Sequence, residues 1–298
     1  MGLISAKGDI MNEINLTHKE MVESSNMLYN IRMSELNFTN VYAWQEKYAF
    51  HLEVINDDIF LINKAKEGLY FSQPIGSLMD LDHLEATIKM LKTSFDLNEI
   101  HFKKCSDTFK SRIEKLNFEL DVTEVRDDFD YLYDFNGLKD LKGKLYHKKK
   151  NHVNLFMKNY SWSYEAIKIS NKEDVILLLE DWFKEADEDL LLEKKAITRV
   201  LTDWDNLNVT GGILYVENIP VAFAIGEVIH QDTLLMHFEK ANTDYQGAYA
   251  MMTHTYINQF KDLLYVNREQ DLGIPGLRKS KLSYHPVDFV KKYNISVR

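Results

Sequence analysis

Two stretches of this chain gather side chains able to handle a charged reactant. The first, LKGKLYHKKKNHVNLF (Leu141–Phe156), places Lys142, Lys144, Lys148, Lys149, Lys150 and His147 within nine residues of an acidic chain. The second, YVNREQDLGIPGLRKSKLSYHP (Tyr265–Pro286), brings Asn267, Arg268, Glu269 and Asp271 together ahead of Arg278, Lys279, Lys281, Tyr284 and His285. Carboxylates beside fixed cations can hold an incoming amine and take its proton. Arg278 and Lys281 can hold a phosphate or carboxylate, the guanidinium as a two-pronged donor. The same residues can equally form an ion-pair network that pins a terminal segment.

A third stretch, HFEKANTDYQGAYAMMTH (His237–His254), ends a strand at Glu239–Lys240 and leads through Gln246 and Gly247 into a helix. Free N–H groups at a helix start bind phosphate or pyrophosphate. Asp244 is a candidate cap for that helix. Other chemistries lack their residues. There is no His-Glu-x-x-His or Gly-x-Ser-x-Gly motif, and no metal site is expected. Gly137 and Gly143 stand one residue too far apart for a phosphate-binding P-loop. Cys105 is the lone cysteine, so it forms no intrachain disulfide and is expected to be a buried thiol.

The elements that must position these groups follow from periodicity. On a helical wheel over Lys144–Tyr160, Leu145, Tyr146, Val153, Phe156, Met157 and Tyr160 share one arc, and Lys149 falls inside it. Lys149 therefore either extends its ammonium outward along the apolar face or points into a polar cavity. In the first half, Tyr48–Ile55 and Asp58–Asn63 predict a hairpin across Asn56–Asp57, with Gly68–Gln73 as a third strand. Leu81–Phe95 is predicted helical with Asp80 as its cap, followed by strand Glu99–Lys103, helix Asp107–Lys115 and strand Phe118–Val122. In the second half, helices Val175–Ala186 and Leu190–Leu201 precede strands Gly211–Val216, Ile219–Ile229 and Thr233–Glu239. Helix Ala248–Phe260 and strand Leu263–Asn267 come next. Gly273, Pro275 and Gly276 predict a shaped loop after that strand.

The net charge of −10 argues against DNA or bulk nucleic acid as a partner, while a local basic pocket is allowed. No apolar run reaches the roughly 20 residues that span a bilayer, and the first residues lack a secretory pattern. A cytoplasmic protein without an integral membrane segment is the expectation.

The stretches SELNFTNVYAWQEKY, LKGKLYHKKKNHVNLF, HFEKAN and NREQDLGIPGLRKSKLSYHP resemble the family built on the carboxyl-terminal domain of phosphatidylglycerol lysyltransferase. The resemblance implies an α+β fold of two tandem GNAT-like (acyl-CoA N-acyltransferase-like) domains, each a mixed, mostly antiparallel sheet flanked by helices. These are expected at residues 1–135 and 136–298, with the site in the second. It also implies kinship with enzymes that move an aminoacyl group from aminoacyl-tRNA to a lipid or peptide amine or hydroxyl.

The resemblance assigns no residue its role; read from the charged stretches themselves, a transfer site would use Lys148, Lys149 and Lys150 to attract a phosphate-bearing donor and Gln246 and Gly247 to offer backbone N–H groups. Glu239 or Glu269 takes the proton of the attacking amine and Asp271 orients it. Asn267 lines the donor site, and Arg268, Arg278 and Lys281 neutralise the donor or the developing oxyanion. No tightly bound cofactor is expected; aminoacyl-tRNA or coenzyme A enters as donor substrate, with a small-molecule, peptide or lipid acceptor. Two further readings stay open: an acyl-coenzyme A N-acyltransferase on a small amine, and a non-catalytic protein binding a metabolite or partner.

Overall fold

The computed structural model describes residues 12–65, 68–182 and 188–298. The chain runs through β1 (Asn12–Glu13), α1 (Lys19–Leu28), α2 (Phe38–Ala43), α3 (Gln45–Tyr48), β2 (His51–Ile55), β3 (Asp58–Ala65), β4 (Gly68–Phe71), α4 (Leu81–Phe95), β5 (Ile100–Cys105), α5 (Asp107–Ile113) and β6 (Leu120–Glu124). It continues through β7 (Asp130–Asp134), α6 (Phe135–Asp140), α7 (His147–Asn159), β8 (Trp162–Ala166), α8 (Lys172–Trp182), α9 (Glu188–Thr202), β9 (Thr210–Val216), β10 (Ile219–Ile229) and β11 (Thr233–Ala241). Last come α10 (Ala248–Ile257), β12 (Tyr265–Asn267), α11 (Pro275–Leu282), β13 (Asp288–Val290) and β14 (Tyr293–Val297).

Two compact units result, one reaching to Phe129 and adding Val290–Arg298, the other spanning Asp130–Phe289. Each holds a seven-stranded, mostly antiparallel sheet with helices against it, the expected α+β arrangement. The boundary lies earlier than residue 135, and the tail does not stay with the second unit. Strand β14 inserts between β5 and β6, antiparallel to both, because Tyr293, Ile295 and Val297 alternate onto the first unit's core.

In the first unit the sheet order is β1-β2-β3-β4-β5-β14-β6. Asn56 and Asp57 both take positive φ, as a two-residue hairpin requires. Helix α4 has the expected bounds. The Asp80 carboxylate accepts the His83 N–H at 3.0 Å, and Leu84, Ile88 and Leu91 are buried at helical spacing. Cys105 is buried, and desolvation pushes its thiol well above the ordinary range.

The second unit's sheet runs β13-β7-β12-β11-β10-β9-β8. Strands β9 and β10 are joined through Glu217–Asn218, both at positive φ. Strand β12 lies parallel to β11 and antiparallel to β7, so Asn267 sits in register with Leu235 and Leu132. A bulge in the β10–β11 ladder pairs Ile225 with Phe238 and Gly226 with Met236, leaving His237 as the extra residue. The core gathers Tyr131, Tyr133, Phe135, Val153, Phe156, Tyr256, Val266 and Tyr284. Helix α10 follows the pattern, whereas the described part of α8 ends at Trp182 and the rest of the expected Val175–Ala186 helix lies outside the described residues.

Two expectations fail on the wheel of the basic segment. Tyr146, Val153 and Phe156 are buried, but Leu145 and Met157 are 64% and 43% exposed. The helix begins only at His147, after a 3-10 turn at Lys144–Tyr146. That tighter turn displaces Leu145 from the extrapolated face. Pro275 likewise stands at the first position of α11 rather than within a loop, because a helix's first turn needs no proline N–H.

Candidate functional site

The site is built where β12 ends. Arg268 leaves the strand, and a loop of Arg268–Ile274 leads to α11. Three positive-φ residues shape this loop: Glu269, Leu272 and Gly273. For Glu269 that conformation is uncommon and must be held by its surroundings. Asn267 does so from below: its amide donates to Asp130 at 3.2 Å and its carbonyl oxygen accepts the Glu269 N–H at 2.8 Å. From the side, the Lys281 ammonium of α11 donates to the carbonyl oxygens of Arg268, of Gln270 at 2.6 Å and of Glu269 at 3.1 Å. Burial and the Arg268 charge bring the Lys281 ammonium down to about 8, against the pull of Glu269, Asp130 and Asp271.

The far side of the loop is closed by Asp271. Its carboxylate accepts both prongs of Arg278, from Nε at 2.8 Å and Nη2 at 2.7 Å, together with the Tyr131 hydroxyl at 2.5 Å and the Gly273 N–H at 2.9 Å. Burial opposes ionisation there, but the Arg278 and Tyr131 bonds hold the carboxyl at about 2.

Four elements meet around Tyr284, which follows α11 and is 4% exposed. From α7 the Lys149 ammonium lies 3.7 Å from the ring centre. The Arg268 guanidinium lies 4.7 Å from the same ring. Glu239 of β11 ion-pairs with Arg268 through Nη2 and accepts the hydroxyl of Thr253 on α10. Arg268 Nη1 is buried and has no hydrogen-bond partner. Two cations and one carboxylate leave this cluster with an excess positive charge and an unused buried donor. Burial and Arg268 lower the Lys149 ammonium to about 8, partly offset by Glu239. Lys149 is half-buried, with its ammonium held over the Tyr284 ring in the field of Arg268 and Glu239.

Beside this cluster lies a second one. His237 has no side-chain exposure and stands between two carboxylates, Nε2 at 2.9 Å from Glu227 and Nδ1 at 3.0 Å from Glu269. Burial works against the imidazolium, but the bonds to Glu227 and Glu269 raise it to about 9.

Of the residues singled out from sequence, Lys149, Glu239 and Arg268 come together, with Glu269, Asp271, Asn267, Arg278 and Lys281 in the loop that presents Arg268. Lys148 and Lys150 are exposed on other faces of α7. Gln246 is exposed, and its N–H donates to the Tyr160 hydroxyl at 3.1 Å. Gly247 takes φ 93° at the start of α10, and a Cβ there would lie 2.5 Å from the His152 carbonyl oxygen of α7. It is the cap residue in place of Asp244, and the glycine is set by that close approach. His237 and Tyr284 stand in the quoted stretches without an assigned role. Thr253 and Glu227 carry no local signal, since only strand and helix packing bring them to the site.

The chain matches the family described as phosphatidylglycerol lysyltransferase, C-terminal, over residues 26–296. It belongs to that family. A crystal structure of a conserved protein of unknown function from Bacteroides thetaiotaomicron is 31% identical, with a TM-score of 0.88 covering 96% of this chain and 98% of that one. The structure of L-PGS from Bacillus licheniformis shares the fold, with a TM-score of 0.65 at 12% identity over 97% of this chain and 94% of that one. An uncharacterized protein of Mycoplasmoides gallisepticum is 26% identical over 177 residues, 56% of this chain and 56% of its own length. This member of the phosphatidylglycerol lysyltransferase C-terminal family contains, among its described residues, no helix long and apolar enough to cross a membrane.

Proposed function

We propose that the second unit is an aminoacyltransferase site that takes its aminoacyl group from aminoacyl-tRNA and passes it to an amine or hydroxyl. The observation carrying this reading is the convergence of Lys149 and Arg268 on Tyr284, with Arg268 Nη1 buried and unpartnered. An activated ester develops negative charge on its carbonyl oxygen when an amine adds to it, and a fixed guanidinium N–H in a dry site stabilises that charge. Membership of the lysyltransferase C-terminal family supports aminoacyl-tRNA over a thioester as the donor.

The acceptor amine attacks the ester carbonyl carbon, and its lost proton ends on the departing ribose oxygen. Lys149 is suited to that transfer. Near neutral pH its ammonium gives a proton readily, and the resulting amine can take one back. Glu239 is less suited as the base, because Arg268 and Thr253 occupy its two oxygens. It instead fixes the guanidinium. Glu269, turned to His237, and Asp271, bound by Arg278, hold the loop. Lys148 and Lys150 draw in the phosphate-rich donor through their exposed charge, while the Gln246 N–H is already taken by the Tyr160 hydroxyl. No covalent enzyme intermediate is needed when both substrates are held in contact.

The test is transfer of a labelled amino acid from a charged tRNA mixture to primary-amine and hydroxyl acceptors, with isothermal titration of the same tRNA and of acetyl-coenzyme A alongside. The expectation is donor binding and transfer from tRNA, both weakened in Lys149→Glu. Turnover with acetyl-coenzyme A in place of tRNA would establish the N-acyltransferase reading. Binding without transfer from either donor would establish a non-catalytic protein.

A further inference from the structure

We propose that His237 is a positioning residue: its imidazole, clamped between Glu227 and Glu269 at the β10–β11 bulge, locks the Arg268–Asp271 loop so that Arg268 stays beside Tyr284 and Lys149. The catalytic part of this inference rests on the transfer reading above; the structural part does not.

Three observations carry it. First, His237 is the residue that the β10–β11 register skips, between Ile225–Phe238 and Gly226–Met236. A bulge re-aims one side chain out of the alternating pattern, and here that side chain has both ring nitrogens on carboxylates from different elements. Second, the partner on the loop side, Glu269, sits at φ 55°, a backbone conformation a glutamate holds only when its neighbours fix it. Its N–H is held by Asn267, and its carbonyl oxygen accepts from Tyr131 N–H at 3.2 Å and from Lys281. The carboxylate is the remaining handle, and His237 holds it. Third, Arg268 directly precedes Glu269, so rotation of the Glu269 backbone would swing the guanidinium away from Glu239 and Tyr284.

Carboxylates only accept hydrogen bonds, so binding two of them requires N–H on both ring nitrogens. The charged groups facing the imidazole are Glu227 from β10 and Glu269 from the loop; Lys281 of α11 acts on Glu269, and Tyr256 of α10 faces Glu227. An imidazolium matches this frame, whereas a neutral ring could donate to only one carboxylate and would face the lone pairs of the other.

The test combines the native chain with Glu227→Gln and His237→Gln. Long-range proton–nitrogen correlation spectra of His237 at pH 7 should show both ring nitrogens protonated in the native chain. In E227Q the ring should deprotonate about one pH unit lower or more. Amide hydrogen exchange over Tyr265–Ile274 should be at least about tenfold faster in both variants, with strand β9 still protected. Transfer from charged tRNA should lose kcat with little change in KM, since the loop places a group used in the transition state. A neutral His237 at pH 7, or loop exchange equal to the native rate in E227Q, overturns the proposal. If H237Q does not fold, E227Q decides alone. If the native chain transfers nothing from charged tRNA, the transfer reading fails, while the spectra and exchange rates still decide whether His237 locks the loop.

Discussion

Lys149 stands 3.7 Å over the ring of Tyr284, although one residue belongs to α7 and the other follows α11. The contact places a lysine that is half-buried and whose ammonium is depressed to about 8 next to the guanidinium of Arg268. Like charges brought together in a partly dry place are kept only if something else in the structure or its ligand offsets them. Glu239 offsets one of the two.

Replacing Lys149 by methionine keeps the apolar stem and removes the charge. Fold stability should change by no more than ~1 kcal/mol, since no ion-pair partner is stranded. Affinity for charged tRNA, read by titration, should fall about tenfold or more, equivalent to ~1.4 kcal/mol. Unaltered affinity would make Lys149 a packing residue.

Arg268→Lys retains a positive charge near Glu239 but loses the fork and the spare N–H. Transfer should fall by roughly 100-fold or more, the scale for removing one oxyanion donor. Single-turnover kinetics against equilibrium binding would separate this from a loss of affinity. Equal losses in both would assign Arg268 to donor binding.

Lys281 spends its ammonium on three loop carbonyl oxygens. Lys281→Met should destabilise the chain by ~2–4 kcal/mol, because buried acceptors lose their donor. Urea unfolding reads this directly. A cost below ~0.5 kcal/mol would mean that the loop does not need that anchor.

The pH dependence of stability has opposite signs for the two kinds of cation. His237 is raised from 6.5 to about 9, so its contribution is complete below pH 6.5 and is lost as pH rises through 9. Lys149 and Lys281 are lowered from 10.5 to about 8, so folding sheds their protons early and stability rises between about 8 and 10.5. From pH 6.5 to 8 only the histidine acts among these three. Unfolding free energy should therefore decline across that window in the native chain, by up to about 1 kcal/mol per pH unit, and remain flatter in His237→Gln. Identical slopes would contradict the assignment.

Gly247→Ala tests the close approach of α10 to α7. Gly247 is left-handed at φ 93°, and a Cβ there would lie 2.5 Å from the His152 carbonyl oxygen. The substitution should cost ~1–2 kcal/mol from conformation and ~1–3 kcal/mol more because α7 and α10 must separate. Thermal unfolding checks this; a total cost below ~1 kcal/mol would mean that the helix contact does not depend on the glycine.

The local chemistry of this chain was readable without coordinates. The bounds of α4 and of β10 follow from Asp80, from helical spacing and from the Glu217–Asn218 turn. The α7 arc left two courses open to Lys149, and the Tyr284 ring beside Arg268 shows which it takes. Two misread positions involve a break in local regularity, Leu145 in a 3-10 turn and Pro275 opening a helix, and His237 stands at a bulge that the strand pattern did not mark. Periodicity extrapolates a regular element and cannot register where the backbone departs from it.

The amino-acid sequence by itself determined elements such as α4 and β10 and placed Lys149 and Arg268 in two charged stretches, because turn residues, caps and apolar spacing act over a few residues. Tertiary structure decided which charges satisfy one another. It joined Glu239 to Arg268, Asp271 to Arg278 and Glu227 to His237, left Arg268 Nη1 without a partner, and returned β14 to the first unit. Those pairings depend on strand order and on a bulge. Both are set by the packing of distant segments, and short-range propensity carries no record of them.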